Sequence, residues 1–83
     1  MNNKQVVESF LKKETGNSNN LHSDGKILKS YDMPIAEWKD GRVEFVDKTK
    51  LPSMTTRKHY AECYYQYLKI VEVVPTKNEN QNL

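Results

Sequence analysis

Two Asp-Gly dipeptides constrain the fold of this chain more than any other feature. Asp24-Gly25 and Asp40-Gly41 each lie between short segments that contain apolar residues. A type I′ turn needs positive φ at both of its central positions, and Asp-Gly adopts that turn readily. We therefore predict two β-hairpins that join into an antiparallel meander of about four strands.

Counting outward from each turn gives the predicted strand register. In the second hairpin, the predicted pairs are Trp38–Val43, Ala36–Phe45, Ile35–Val46, Glu37–Glu44 and Lys39–Arg42. In the first, they are His22–Ile27 and Leu21–Leu28. The register places Ala36, Trp38, Val43 and Phe45 on one apolar face that needs a cover, and it predicts a solvent-facing ladder for Glu37 and Glu44 on the other face.

A break in strand structure is predicted at Asp32-Met33-Pro34. Pro34 lacks an N–H group and biases Met33 away from helix, so the segment separates the two hairpins.

A helix is predicted at each end of this sheet. Residues 3–14 place Val6, Val7, Phe10 and Leu11 on one stripe, with Asn2 or Asn3 as the cap and Gly16 as the end. The polar segment TGNSNN follows as a linker, so we expect this helix to dock loosely or to serve a partner.

The second predicted helix starts at Thr55 or Thr56 as its cap and runs to about residue 72. Its predicted cover for the sheet is a stripe formed by Tyr60, Ala61, Tyr64, Tyr65, Leu68 and Val71. The β-branched residues within 69–74 leave a last strand as an alternative ending. The predicted fold class is α+β, with one small domain over residues 1–75 and a disordered polar tail over 76–83.

Composition excludes several classes of protein. With 83 residues the chain is near the small end of what folds alone, so a deep enzyme cleft is not expected. A net charge of +2 is too weak to indicate nucleic-acid binding by itself. A single cysteine, Cys63, excludes an intrachain disulfide, and no apolar run fits a signal peptide or a membrane span. We expect a cytoplasmic protein.

Catalytic and metal chemistry have weak signals. His59 and Cys63 are four residues apart on one predicted helix, where a histidine could activate a thiol, but a lone cysteine is usually a small core residue. The sequence has no Cys-x-x-Cys or His-x-x-x-His spacing, and its glycines are isolated. We expect no enzyme activity, no metal and no cofactor.

Anion binding at the start of the second helix is the sharpest functional hypothesis. Between residues 47 and 58 there are four basic residues and one acid, an excess of three positive charges. Free N–H groups and threonine hydroxyls at a helix start suit a phosphate or a carboxylate. The candidate binding residues are Lys48, Lys50, Thr55, Thr56, Arg57, Lys58 and His59. The structural alternative is that the threonines cap, the basic side chains are solvated and His59 packs.

The tyrosines of this helix leave two further alternatives open. Tyr60, Tyr64 and Tyr67 could stack against bases of single-stranded nucleic acid, although their helical spacing favours core packing. Tyrosine-rich surfaces also suit protein–protein contact.

Several spaced residues resemble a family of small uncharacterised proteins common in bacteriophages and other mobile elements. The matching residues are Leu21, Ser23, Gly25, Leu28, Tyr31, Ile35, Ala36, Trp38, Thr55, Thr56, Lys58 and His59. The resemblance covers about residues 21–60 and implies a phage or mobile-element origin without supplying a mechanism.

The expected function is that of a small accessory protein that binds a host macromolecule. The first hypothesis is an inhibitor that binds a host protein, such as a nuclease of a defence system, in the manner of an anti-CRISPR protein. The alternative is a nucleic-acid or nucleotide-binding module that uses the basic helix start. A homodimer formed through the N-terminal helix is the third possibility, and no membrane partner is expected.

Overall fold

A computed structural model of the chain describes residues 1–72. Two α-helices, one short 3-10 helix and five strands follow one another along the sequence. They are α1 (Asn3–Leu11), β1 (Thr15–Asn17), β2 (Leu21–Asp24), β3 (Ile27–Ser30), β4 (Met33–Lys39), β5 (Arg42–Phe45), η1 (Lys48–Lys50) and α2 (Met54–Glu72). The strands form one antiparallel sheet in the order β1-β2-β3-β4-β5, so the predicted α+β class is confirmed.

The second hairpin has the register that its turn predicts. Asp40 and Gly41 have φ values of 54° and 82°, as a type I′ turn requires. The recorded pairs of β4 and β5 are Ala36–Phe45, Glu37–Glu44, Trp38–Val43 and Lys39–Arg42. A hydrogen bond from Val46 N to Ile35 O extends the same pairing by one step.

The predicted register of the first hairpin is wrong by two residues. Ser23 pairs with Leu28, and His22 pairs with Lys29. The cause lies in Asp24, whose carboxylate accepts hydrogen bonds from Lys26 N and Ile27 N, both at 2.8 Å. The side chain thus organises a wider turn than a two-residue one, and only Gly25 takes a positive φ, of 94°.

The polar segment after α1 forms a fifth strand where a linker was predicted. Gly16 does not end the helix: α1 ends at Leu11, and Gly16 pairs with Ser23 in the sheet. The predicted break at Asp32-Met33-Pro34 is also shorter than expected. Met33 and Pro34 already belong to β4, so only Asp32 of the three lies outside a strand. Pro34 is tolerated there as the second residue of the strand.

A β-bulge in β4 turns two consecutive residues towards the core. Leu28 pairs with Ala36 and Lys29 pairs with Pro34, so Ile35 is the extra residue. Ile35 and Ala36 are therefore both buried, although strict alternation would place them on opposite faces.

The N-terminal helix is part of the core, and the prediction of loose docking is wrong. Val6, Val7 and Phe10 are fully buried. Asn2 is the cap, as predicted, and forms a reciprocal capping box with Gln5. Three of the four residues of the predicted stripe are therefore occupied inside the domain, Leu11 is half-buried, and the homodimer stays a prediction.

The core lies between the sheet and the two helices. Its buried apolar residues are Val6, Val7, Phe10, Leu21, Leu28, Ile35, Ala36, Val43, Leu51 and Cys63. Trp38 links both helices to the sheet: its Nε1–H donates to Phe10 O at 2.7 Å, and its ring meets the Tyr67 ring edge-on.

Helix α2 presents a different face to the core than predicted. Its buried residues are Thr56, His59 and Cys63, and Tyr60 and Tyr67 pack beside the core. Of the predicted stripe, Tyr64, Tyr65 and Val71 are exposed. The helix continues through residues 69–72, and residues 73 and 74 of the alternative strand, like the predicted tail 76–83, lie outside the described residues. In the described part of the chain, neither helix combines the length and apolar character needed to cross a bilayer.

Candidate functional site

The cap of α2 is Ser53, and the prediction of Thr55 or Thr56 as cap is wrong. Ser53 Oγ accepts a hydrogen bond from Thr56 N at 3.2 Å, and Ser53 O accepts the first helical bond from Arg57 N. The helix therefore begins at Met54, and Arg57 lies after the first three helical residues.

His59 lies in a buried hydrogen-bond network rather than at an open helix start. It is 4% exposed, with Nδ1 lying 2.7 Å from Ser30 Oγ and Nε2 lying 3.0 Å from Asn3 Nδ2. Ser30 Oγ donates to Thr56 Oγ1 at 3.1 Å. We call Asn3, Ser30, Thr56 and His59 the histidine network. Burial lowers the pKa of His59.

Cys63 shows no feature of an activated nucleophile. It is fully buried, and burial raises the pKa of its thiol to about 12. Both ring nitrogens of His59 are engaged with Asn3 and Ser30. The two residues weighed as nucleophile and base are therefore committed to the core.

A groove lies between η1 and one flank of α2. It has a volume of about 420 Å³. Lys48, Thr49 and Leu51 line it on one side. Helix α2 contributes Arg57, Tyr60, Ala61, Tyr64 and Tyr65 on the other. We call this surface, formed by those eight residues, the tyrosine groove.

The aromatic wall of the tyrosine groove is held from behind by Phe45. The Phe45 ring meets the rings of Tyr60 and Tyr64 edge-on, with both centroid distances 5.4 Å. Burial raises the pKa of Tyr60, the inner tyrosine. Tyr64 and Tyr65 are 40% and 63% exposed, so the wall ends in rings that a partner can contact.

The basic side of the groove is positioned by Asp47. Its carboxylate accepts hydrogen bonds from Thr49 N at 2.9 Å and Thr49 Oγ1 at 2.8 Å, which caps η1. The hydrogen bond from the Thr49 backbone N–H is the larger cause of the lowered pKa of Asp47, and the bond from the Thr49 hydroxyl lowers this pKa further. With this acid engaged in the turn, Lys48 and Arg57 place positive charge beside exposed tyrosines.

Comparison with known families identifies the chain. A family model described as "Family of unknown function (DUF8033)" matches residues 1–81. The protein belongs to the DUF8033 family. Neither the curated proteins nor the solved structures contain a match to it.

In this DUF8033 protein, the predicted binding residues separate into three groups. Lys48 and Arg57 come together in the tyrosine groove. Lys50 and Lys58 are exposed but do not line the groove, and Thr55 is half-buried. Thr56 and His59 are buried in the histidine network, so they do not offer a surface to an anion.

The exposed tyrosines of the groove are the binding candidates that the sequence prediction omitted from the site. Both Tyr64 and Tyr65 belong to the predicted core stripe, and Tyr64 is also one of the residues of the base-stacking alternative. The signal is their spacing: Ala61 lies four residues after Arg57, and Tyr64 and Tyr65 lie three and four residues after Ala61, so all four share a flank of α2. Across residues 1–72, no three His, Cys, Asp or Glu side chains are grouped so that they could hold a metal ion.

Proposed function

We propose that this DUF8033 protein is a non-enzymatic binding protein that holds a partner protein in the tyrosine groove. The observation that carries the proposal is the combination of exposed Tyr64 and Tyr65 with Arg57 in one concave surface. Tyrosine and arginine are enriched among the residues that dominate the energy of protein interfaces. The edge-on support of Tyr64 by Phe45 reduces the ordering cost that this ring incurs on binding, and the Tyr65 ring meets Tyr64 edge-on in turn.

The charge and shape of the groove indicate the chemistry of the partner. Lys48 and Arg57 favour an acidic segment, since charge complementarity steers association and fixes register. Leu51 and Ala61 line the same groove and suit an apolar side chain. The proposed ligand is therefore a protein segment with an apolar or aromatic anchor beside one or more carboxylates.

The proposed partner is a host protein, with inhibition of a host defence factor as the specific role. The resemblance to small phage and mobile-element proteins supports this choice, as does the commitment of Cys63 and His59 to the core. An inhibitor of this kind acts by occupying a surface and needs no catalytic group. The proposed location is the host cytoplasm.

A single-stranded nucleic acid is the second candidate ligand. The rings of Tyr60 and Tyr64 stack with an interplanar angle of 16° and a centroid distance of 6.2 Å, beside the Arg57 guanidinium in the same groove. Such rings next to cations can stack bases and contact phosphates.

Two adjacent basic residues provide a matched test of the protein-binding proposal. Arg57→Glu and Lys58→Glu introduce the same charge change on neighbouring residues, but only Arg57 lines the groove. Capture of host proteins from nuclease-treated lysate should lose a specific band with Arg57→Glu and keep it with Lys58→Glu. Equal capture by both variants would place the interface elsewhere.

Oligonucleotide titration decides between the two ligands. Fluorescence anisotropy with a labelled oligothymidylate would show saturable, strongly salt-dependent binding if the groove holds nucleic acid. Binding should then fall with Tyr64→Ala as well as with Arg57→Glu. No binding at low salt, together with retained protein capture, leaves the protein partner as the ligand.

A further inference from the structure

We propose that a second surface, on the opposite flank of α2, binds an acidic amphipathic helix of a partner protein. Helices α1 and α2 leave a valley of about 370 Å³ between them. We call it the interhelix groove. Its α1 side carries Lys4, Leu11 and Lys12, and its α2 side carries Lys69 and Ile70.

The floor of the interhelix groove is apolar and open. Ile70 is 49% exposed, and Leu11 is half-buried, with one side packed against the core. A single exposed isoleucine is ordinary on a protein surface. Here it shares a concave surface with a leucine of a second helix, and this arrangement suits the apolar side chains of a docking segment.

The charges around this floor indicate an acidic occupant. Lys4, Lys12 and Lys69 line the groove together with one acid, Glu8, so three positive charges minus one negative charge leave an excess of two. An incoming segment that carries carboxylates beside its apolar residues would meet opposite charge on both walls.

The walls favour a helix over an extended strand as the occupant. Both are α-helices, whose backbone groups are hydrogen-bonded within the helix and offer no sheet edge to a strand. Gln66 Nε2 donates to Glu62 Oε2 within α2 at 2.7 Å, and it reaches across to α1 at Lys4 O, 3.5 Å away. A docked helix satisfies its own backbone and needs only side-chain contacts, at positions i, i+4 and i+7.

The interhelix groove is separate from the tyrosine groove. Thr56, His59 and Cys63 form the buried stripe of α2, and the two grooves lie on either side of it. Loss of binding in one groove therefore need not change binding in the other, and this proposal does not depend on the function proposed above.

A designed peptide tests the proposal with the full chain. The probe is a labelled amphipathic peptide of about four helical turns, with leucines on one stripe and glutamates beside them. We expect saturable amide chemical-shift changes at Leu11, Gln66 and Ile70 in the ¹⁵N-labelled protein. Ile70→Glu should weaken binding by at least about tenfold.

Matched controls make the result decisive. A peptide of the same composition but scrambled order should not bind, and Tyr65→Ala in the other groove should leave the affinity unchanged. Lys69→Glu should weaken binding of the acidic peptide and strengthen binding of a version with lysines in place of glutamates. This charge swap provides a second test if Ile70→Glu fails to fold. Equal affinity for the scrambled peptide, or unchanged affinity in both variants, would overturn the proposal.

Discussion

The Nδ1 atom of His59 lies 2.7 Å from Ser30 Oγ, and this contact joins α2 to the centre of the sheet. The amide nitrogen Nδ2 of Asn3 can only donate and lies 3.0 Å from Nε2, so Nε2 accepts. The neutral ring then carries its proton on Nδ1, which faces Ser30 Oγ. One neutral histidine side chain on α2 thus connects Asn3 of α1 with Ser30 of β3.

The first prediction is that the protein loses stability as the pH falls below 6.5. Burial lowers the pKa of His59 below 6.5. Between pH 6.5 and this lowered pKa, His59 is therefore protonated in the unfolded state but not in the native state. The contribution of His59 to the free energy of unfolding is therefore fully present above pH 6.5. It declines as the pH falls towards the folded-state pKa, by at most about 1.4 kcal/mol per pH unit. Urea unfolding at pH 7.5, 6.5 and 5.5 measures the slope.

The second histidine provides the control for this prediction. His59→Gln should flatten the pH dependence in this range, whereas His22→Gln should retain it, because His22 lies outside the network and bonds to Asn17. Asp24 and Asp47, whose pKa values are lowered from 3.8, affect stability only at more acidic pH. A slope that persists in His59→Gln would contradict the assignment.

Ser30→Ala should lower the free energy of unfolding by about 1–3 kcal/mol. The substitution leaves the His59 Nδ1–H without its acceptor inside the core and removes the hydrogen bond to Thr56. Thermal and urea unfolding at neutral pH provide the measurement. Thr55→Ala, at a half-buried position of α2, is the control and should change stability by less than about 0.5 kcal/mol. Similar effects of both substitutions would indicate that the network adds little.

Phe10→Ala should lower the free energy of unfolding by about 3–5 kcal/mol, a large share of the stability of so small a domain. Phe10 is fully buried, and its ring centroid lies 6.2 Å from that of Trp38. The fluorescence of Trp38, the single tryptophan, reports the urea transition. Met54→Ala, at a 69% exposed position, should leave the midpoint almost unchanged. A small effect of Phe10→Ala would mean that α1 is dispensable.

The elements that sequence predicted well are those set by local backbone chemistry. Asp40 and Gly41 both take positive φ, so the turn alone determines the register of β4 and β5. The Asp24-Gly25 turn differs because the Asp24 carboxylate bonds to two backbone N–H groups, an outcome that the dipeptide does not reveal. The turn at Tyr31 was equally hidden, since a tyrosine with a φ of 56° is rare.

The candidate site was predictable only in part because its residues belong to separate elements. Sequence proximity grouped Lys58 with Arg57 and Lys50 with Lys48, but one member of each pair does not line the groove. His59 and Thr56 look like surface groups until β3 and α1 supply Ser30 and Asn3 as their partners. Tertiary packing determines which side chains stay exposed to a partner, and a local sequence pattern does not contain that information.

The last prediction concerns the thiol of Cys63, which should resist alkylation in the native protein. The side chain is fully buried, and its pKa is raised to about 12, so both access and the thiolate fraction are low at pH 8. Iodoacetamide should label the native protein at least about a hundredfold more slowly than the urea-unfolded chain. Destabilisation by Phe10→Ala should accelerate labelling, because the reaction then proceeds through opened molecules. Rapid labelling of the stable native protein would instead reveal an accessible thiolate and reopen the possibility of cysteine chemistry.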